Sequence, residues 1–545
     1  LSSAQRRIYY NSKMIGEDNI VYNMPGAVMI NGLLEEERVK EALNKIIERH
    51  EILRTRFIIN DNTIMQKVIE NIKIDVPVFY NKSDEIYNIL KSFSKPFNLE
   101  EDLLIRAEIH YIDNKKTLLL FDSHHIIMDG TGLNNLIIEF NRIYNGDNLK
   151  KLPIQYRDYS DWEQKFNESE KIKKLENYWV NKFNGSDFEQ LNLPYDYKQP
   201  TNRTYRGETV SKIIDEKIYR KVERFAKRNG VSPYILFLTA FFILLYKYTG
   251  QNDINIGSPM ANRNLNETKR MIGMFVNNIV IRGKVDSNKT FKEFLDQIKD
   301  QVLDDLSYQP YPFDLLVKKL NIPTDPSRNP LFDVMLTYQN REERTIKIDD
   351  KESEIIELNN HIAKFNLSVE IKPETHTVNI EYCTDLFKKQ TIERFFDHYV
   401  NVIKTIINDV DILIKDISII SEQEKKIILR KFNKEKYHFN NSKTIIKLFK
   451  EQVKKNPKVK AVKYKEKQIT YLELDKKSNY IATQMINQGI KQGDVVGIYL
   501  NRSIELIIYM LATMKIGAIY MPMYINYPLD LSLIHIWRCR RLVEC

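Results

Sequence analysis

Residues 123 to 132 read Ser-His-His-Ile-Ile-Met-Asp-Gly-Thr-Gly and follow directly on the apolar run Leu118, Leu119, Leu120, Phe121. Two adjacent imidazoles therefore sit where a buried strand breaks into a loop. Successive side chains of an extended segment point to opposite faces, so His124 and His125 cannot both enter one cavity. One is expected to be held by the protein while the other meets a substrate. The same geometry argues against a metal: ligand pairs share a face, and no Cys or third His lies nearby in the sequence to complete a tetrahedral site. Asp129 adds a carboxylate that could lock the loop, and Gly130 allows a close backbone approach to a ligand. On these ten residues alone, a satisfied core pair of histidines remains an equal alternative.

The elements that must position this loop can be read around it. Val39, Leu43, Ile46 and Ile47 mark one face of a helix over 35–50, with Arg49 and Arg54 at its far end, leading into a strand over 52–59. The strand holding Leu118 to Phe121 enters the His loop. A helix leaves it, with Leu133, Leu136, Ile137, Phe140 and Tyr144 at three- and four-residue spacing and Gly146 as its stop. Residues 163–205 are polar, with Asn184-Gly185 and two prolines, and read as an irregular crossover. A second lobe is expected from Gly207-Glu208, with a buried helix over 232–249, a strand over 377–383 and a helix over 391–407. Ser232-Pro233 and Gly250 supply the start and stop of the buried helix.

Composition narrows the function classes. A chain of 545 residues exceeds what one core usually supports, roughly 250 to 300 residues, so at least three units are expected. Hydrophobic content of 43% with 29% charged residues is that of a folded globular chain. The net charge of +10 is spread along the sequence without a long basic block, which speaks for a solvated surface and against nucleic acid. A local basic patch could still greet an acidic partner. Three Cys exclude a disulfide framework and suit a reducing cytoplasm. The longest apolar stretch, 234–246, is too short for the roughly 20 residues needed to cross a bilayer, so no membrane partner is expected. No signal peptide opens the chain, whose first residue is Leu; the natural start is expected upstream.

The loop matches the His-His-x-x-x-Asp-Gly signature of nonribosomal peptide synthetase condensation domains and their acyltransferase relatives, and the chain resembles that family to about residue 425. Leu1-Ser-Ser-Ala-Gln-Arg-Arg-Ile-Tyr-Tyr is similar to its opening motif and Arg49-His-Glu-Ile-Leu-Arg-Thr-Arg-Phe57 to its second. Tyr156-Arg-Asp-Tyr-Ser-Asp-Trp162, Tyr178-Trp179, Ile272-Gly-Met-Phe-Val-Asn277, Tyr311-Pro-Phe-Asp314 and Asp325-Pro-Ser-Arg-Asn-Pro-Leu-Phe332 follow in family order.

The resemblance implies a mixed α/β fold of two chloramphenicol acetyltransferase-like lobes, 1–165 and 166–425, set in a V with the His loop at their junction. It implies no cofactor for this fold. Donor and acceptor thioesters would arrive on phosphopantetheine arms of upstream and downstream peptidyl carrier domains. Amide formation needs a neutral amine, and an α-amine titrating near 7.7 to 8.0 is about a tenth to a sixth neutral at pH 7. Orientation can contribute about 7 to 11 kcal/mol, more than deprotonation must. His125 is accordingly expected to hydrogen-bond the incoming amine, the backbone N–H of Gly130 to face the oxyanion, and His124 to brace the loop. Asp129 would pair with Arg49 or Arg54, the latter preferred. Asn277 would touch the phosphopantetheine arm or form a turn. Trp179 is a further candidate contact, though packing suits it better.

Thr131-Gly132, Asn278 and Tyr308 depart from the family pattern, which leaves the L-donor subtype resting on Leu1-Ser-Ser-Ala-Gln and Tyr22-Asn-Met-Pro25. The alternatives are an epimerisation-type or other acyltransferase with the same signature, and a silent carrier-docking domain. The latter usually lacks the second His, which is present here.

Beyond a linker at 426–443, residues 444–530 resemble the start of an adenylation domain. Ile469-Thr-Tyr-Leu-Glu-Leu474 and Met514-Lys-Ile-Gly-Ala-Ile-Tyr-Met-Pro522 carry that resemblance, and a βαβ unit is expected across 495–515. The loop that would cradle ATP phosphates is absent, so ATP and Mg would serve only a complete adenylation domain. Residues 531–545, with His535, Trp537, Cys539 and Cys545, read as a non-native tail resembling a translated adaptor.

Overall fold

The computed structural model describes residues 1–16, 18–183, 190–323, 325–339, 351–356, 358–432, 443–523 and 525–526. The Asn184-Gly185 turn, most of the linker and the tail 531–545 lie outside them. Two compact units result, Leu1–Lys426 and Ile427–Cys545.

The first unit contains two sheets. A five-stranded sheet runs in the order Ser353–Ile356, Gly26–Asn31, Lys116–Ser123, Ile105–Ile112, Val78–Asn81. The central strand Lys116–Ser123 pairs antiparallel with both neighbours, Val28 opposite Leu119 and Ile109 opposite Leu119. Its apolar run is explained by burial on both faces: Leu118 and Leu120 join Ala27, Phe93 and Ile112, while Leu119 joins Ile109, Leu136 and Phe140. The helix expected over 35–50 spans Glu36–Arg49 and buries Val39, Leu43, Ile46 and Ile47. The helix after the loop spans Gly130–Tyr144.

The six-stranded sheet is mixed, in the order Gly207–Ile213, Thr377–Cys383, Leu367–Lys372, Val334–Tyr338, Asp253–Met260, Asn277–Lys284. Val334–Tyr338 lies parallel to both its neighbours, and the remaining pairs are antiparallel. Its core holds the helix Pro233–Thr249, capped by the Ser232 side chain on the Ile235 N–H and ended by Gly250 at φ 71°. Leu236 to Leu245 are buried all round, so this helix is the interior of the lobe. Among the described residues no single helix is long and apolar enough to cross a membrane.

Two local expectations are corrected, and one strand was not foreseen. Residues 163–183 are not irregular: helices Tyr156–Asn167 and Glu170–Phe183 fill them, because Ile172, Trp179 and Phe183 bury one stripe. The strand expected from 52 starts at Thr55, after a 3-10 turn Glu51–Arg54. The short strand Ser353–Ile356 gave no alternating signal, yet it extends the first sheet with Ile355 opposite Val28.

In the second unit, strands Lys460–Tyr464 and Lys467–Thr470 form a hairpin. Strands Val495–Tyr499 and Ile519–Met523 pair in parallel around helix Ile504–Lys515, the expected βαβ unit. Ile469, Leu474, Ile504, Ile508 and Leu511 form its small core.

Candidate active site

The two imidazoles of the loop go separate ways. His124 is buried, with its backbone N–H on the Leu104 carbonyl at 2.9 Å and its backbone bridged to Asn23. Its Nδ1 accepts the Ile126 N–H at 3.2 Å, so its proton belongs on Nε2, and its ring meets Phe97 edge-on. His125 is partly buried. Its backbone N–H donates to the Tyr22 carbonyl at 2.7 Å, and its Nδ1 lies 2.8 Å from the Met128 carbonyl. A carbonyl can only accept, so Nδ1 carries the proton and the lone pair of Nε2 is left for a ligand.

Both imidazoles are held neutral at physiological pH. Burial, then the neighbouring charges of His125 and Lys364, push His124 down to about 3. Burial and Lys364 push His125 down to about 4, against smaller opposing effects from the Met128 carbonyl and Asp129. Just before them, burial raises Asp122 to about 6, and Asn23 Nδ2 donates to its Oδ2 at 2.8 Å.

Asp129 is fully buried and caps the helix Gly130–Tyr144 through the Gly132 N–H at 2.7 Å. Its expected partners are replaced by Arg263. The Arg263 Nη2 donates to Asp129 Oδ1 at 2.8 Å, and the Phe275 N–H donates to Oδ2 at 3.1 Å. Arg263 also donates to the Met271 carbonyl at 2.7 Å and stacks on Phe275 at 4.1 Å. Arg49 instead meets Glu139 Oε1 at 3.1 Å, on the helix that leaves the loop, and Arg54 donates to the Ile69 carbonyl at 3.0 Å. Neither reaches Asp129, because the 3-10 turn sends Arg54 toward the hairpin and Glu139 captures Arg49 beside His50 at 2.8 Å.

Scattered motifs meet here. Ser2 caps the first helix, Ser3–Ile15, and its hydroxyl lies 2.8 Å from that of Tyr156, which also donates to the Met274 carbonyl. A Cβ on Gly273 would stand 2.0 Å from the Tyr156 ring, so this close approach requires glycine.

Gly130 is the first residue of its helix, where a backbone N–H has no intrahelical acceptor. Beside it an apolar cavity of about 250 Å³ runs between sheet and helix, lined by Val28, Leu119, Phe121, Leu133 and Phe140. Two further expected contacts are turned inward. The Asn277 amide donates to the Gln309 and Tyr311 carbonyls at 2.9 and 2.7 Å and accepts the Phe313 N–H at 3.1 Å, so it clasps a loop instead of presenting a free amide. Trp179 is buried, with its indole N–H on the Tyr308 carbonyl at 2.9 Å, and packs the second lobe. Arg263, Glu139 and Lys364 escaped the sequence reading, since none falls within a motif; Glu139 lies on the helix that leaves the His loop. Among the described residues no cluster of metal-ligating side chains occurs.

The condensation-domain family model matches residues 1–429, and an AMP-binding enzyme model matches residues 449–531. The chain is 36% identical to bacitracin synthase 1 of Bacillus licheniformis over 97% of its own length and 10% of that protein. It is 34% identical to gramicidin S synthase 2 of Brevibacillus brevis, again over 97% of this chain and 12% of that one. The chain thus spans about a tenth of the length of these relatives. Among solved structures, a four-domain nonribosomal peptide synthetase bound to AMP and glycine matches with a TM-score of 0.81 at 20% identity, covering 100% of this chain and 42% of that one. The first condensation domain of the calcium-dependent antibiotic synthetase, in complex with a substrate analogue, matches with a TM-score of 0.65 at 14% identity, covering 77% and 99%.

Proposed function

The chain belongs to the condensation-domain family of nonribosomal peptide synthetases, with a partial AMP-binding segment behind it, and from that premise we propose that it joins two carrier-bound substrates through an amide bond. The donor is an aminoacyl or peptidyl thioester and the acceptor an aminoacyl thioester, each on a phosphopantetheine arm. The acceptor's neutral amine attacks the donor carbonyl carbon. The C–N bond forms as the C–S bond breaks, and the amine proton ends on the leaving thiolate.

One observation carries this reading: His125 is neutral, with Nδ1–H anchored on Met128 and Nε2 free to accept a hydrogen bond from the amine. The role of His125 is therefore to orient the amine and take its proton as the amide forms. The N–H of Gly130, at a helix N-terminus, faces the developing oxyanion. His124 and Asp129 hold the loop, and the cavity beside Gly130 suits an apolar substrate side chain. Partners are the upstream and downstream carrier domains and the rest of an adenylation domain; phosphopantetheine belongs to the carriers. The L-donor subtype and a cytoplasmic setting complete the reading.

The test uses donor and acceptor carrier proteins loaded in turn with each of the twenty amino acids. His125→Ala should lower transfer by at least roughly a hundredfold while folding is kept, since general acid-base groups contribute 10² to 10⁴. Full activity in that variant, or no transfer by the parent with any pair, overturns the assignment.

A further inference from the structure

A lysine from the second lobe, Lys364, brings its ammonium over the ring of Tyr22, the residue that holds His125 by its backbone. The backbone of Lys364 is pinned on both sides: its N–H donates to Glu381 Oε1 at 3.2 Å, and its carbonyl accepts from Asn329 Nδ2 at 3.3 Å. The preceding Ala363 N–H donates to the Tyr205 carbonyl at 2.9 Å, and Gly207 packs so closely on Ala363 that a Cβ there would come within 2.4 Å. From this anchor the Lys364 ammonium reaches 5.2 Å from the centroid of the Tyr22 ring. Tyr22 is the residue whose carbonyl accepts the His125 N–H and whose ring lies 6.1 Å from that of His124. Among the described residues no carboxylate comes within ion-pair distance of the ammonium, and Glu381 is occupied by the Lys364 backbone. Burial lowers the Lys364 ammonium against the pull of Glu381, and its charge in turn depresses both imidazoles. Arg7 and Arg203, close enough to act on Tyr22, add further cations, and the Met128 carbonyl and Asp129 pull His125 the other way.

We propose that Lys364 is a positioning residue of the condensation step, a fixed cation that keeps the acceptor amine unprotonated where it meets the His125 imidazole. The inference rests on the condensation reading and adds to it how the nucleophile stays neutral. An ammonium has no lone pair to attack with, and a second positive charge brought beside Lys364 is disfavoured, so the proton leaves the amine before it docks. The cation itself never exchanges a proton in the step.

The experiment replaces Lys364 by Met, by Gln as a second neutral variant, and by Arg, in the full chain. Imidazole titration by NMR, assigned with His125→Ala, should show the His125 midpoint rising by about one pH unit in Lys364→Met and Lys364→Gln and staying put in Lys364→Arg. With whichever carrier pair the parent condenses, the acid limb of the rate profile, which the acceptor amine sets, should move up by a similar amount. The neutral variants then lose up to roughly tenfold at pH 6.5 and within about twofold at pH 9, and Arg restores the parent profile. Unmoved midpoints in both neutral variants overturn the proposal. So does an Arg variant as slow as Met, because that would make Lys364 a proton acceptor or a shape requirement. The titration needs no turnover, so it judges Lys364 even if the parent transfers nothing, the result that would instead sink the condensation reading.

Discussion

Before the His loop, Asp122, Ser123 and His124 are buried beside uncharged partners, and among the described residues Asp122 Oδ1, Ser123 Oγ and Asn23 Oδ1 find none; after it, Asp129 is buried as an ion pair with every carboxylate oxygen engaged. The two flanks also attach to different places. The first is tied to Asn23 and Leu104 within its own lobe, the second to Arg263, Gly273 and Phe275 from beyond residue 260. Held in this way, the loop has its imidazoles fixed by residues that precede it and its helix start fixed by a segment from beyond residue 260 that packs into the same core. His125, between the flanks, keeps one nitrogen uncommitted.

The contrast is most exposed to substitution at Asp129. Asp129→Ala leaves Arg263 buried without its carboxylate and should cost about 3 to 5 kcal/mol in urea unfolding. Arg263→Met should cost a similar amount, and the double variant less than the sum of the two, as expected for groups in direct contact. Additive costs, or parental melting in Asp129→Ala, would mean that charge does not hold the second flank.

On the first flank, His124→Ala removes the acceptor of the buried Ile126 N–H and should cost about 1 to 3 kcal/mol with the loop loosened. His125→Ala should change stability by less, since its Nδ1–H bond lies at a partly exposed position. Equal losses in differential scanning calorimetry would erase the distinction between a bracing and a presenting imidazole.

The remaining contrast lies in the pH dependence of stability. The Asp122 carboxyl is raised to about 6, so it contributes stability that is full below its unfolded value near 4 and is lost as pH rises through 6. His124 and His125 are depressed to about 3 and 4, so they contribute stability present above about 6.5 that is lost as pH falls through those values. Between pH 4 and 6 the two slopes oppose each other. Asp122→Asn should therefore steepen the loss of stability on acidification from pH 6 to 4 and stabilise the protein above pH 7. An unchanged slope in urea midpoints across that range would remove the neutral-burial account of the first flank.

Much of this was legible in the linear chain. The helix Glu36–Arg49, the buried helix Pro233–Thr249, the strand Thr377–Cys383 and the βαβ unit around Ile504–Lys515 all announce themselves by apolar spacing and by caps such as Ser232 and Gly250. These signals are local, since burial of one face forces a period of two or of 3.6 onto neighbouring residues. The same pleat predicts His124 and His125 on opposite faces, but the strand ends at Ser123 and His125 lies in the turn that follows, so their separate partners come from the loop.

What the chain by itself determined, then, is which residues can do chemistry and which segments carry them: the His-His-x-x-x-Asp-Gly loop, its strand and its helix. Only the tertiary structure decided the partners. Asp129 meets Arg263 across 134 positions, Asn277 turns its amide onto Gln309, Tyr311 and Phe313, the strand Ser353–Ile356 crosses to the first sheet, and Lys364 stands over Tyr22. A guanidinium or an ammonium sits on a long, flexible stem, and sequence spacing says nothing about where its charge comes to rest. That is set by which carboxylates and carbonyls the packed lobes leave within its reach.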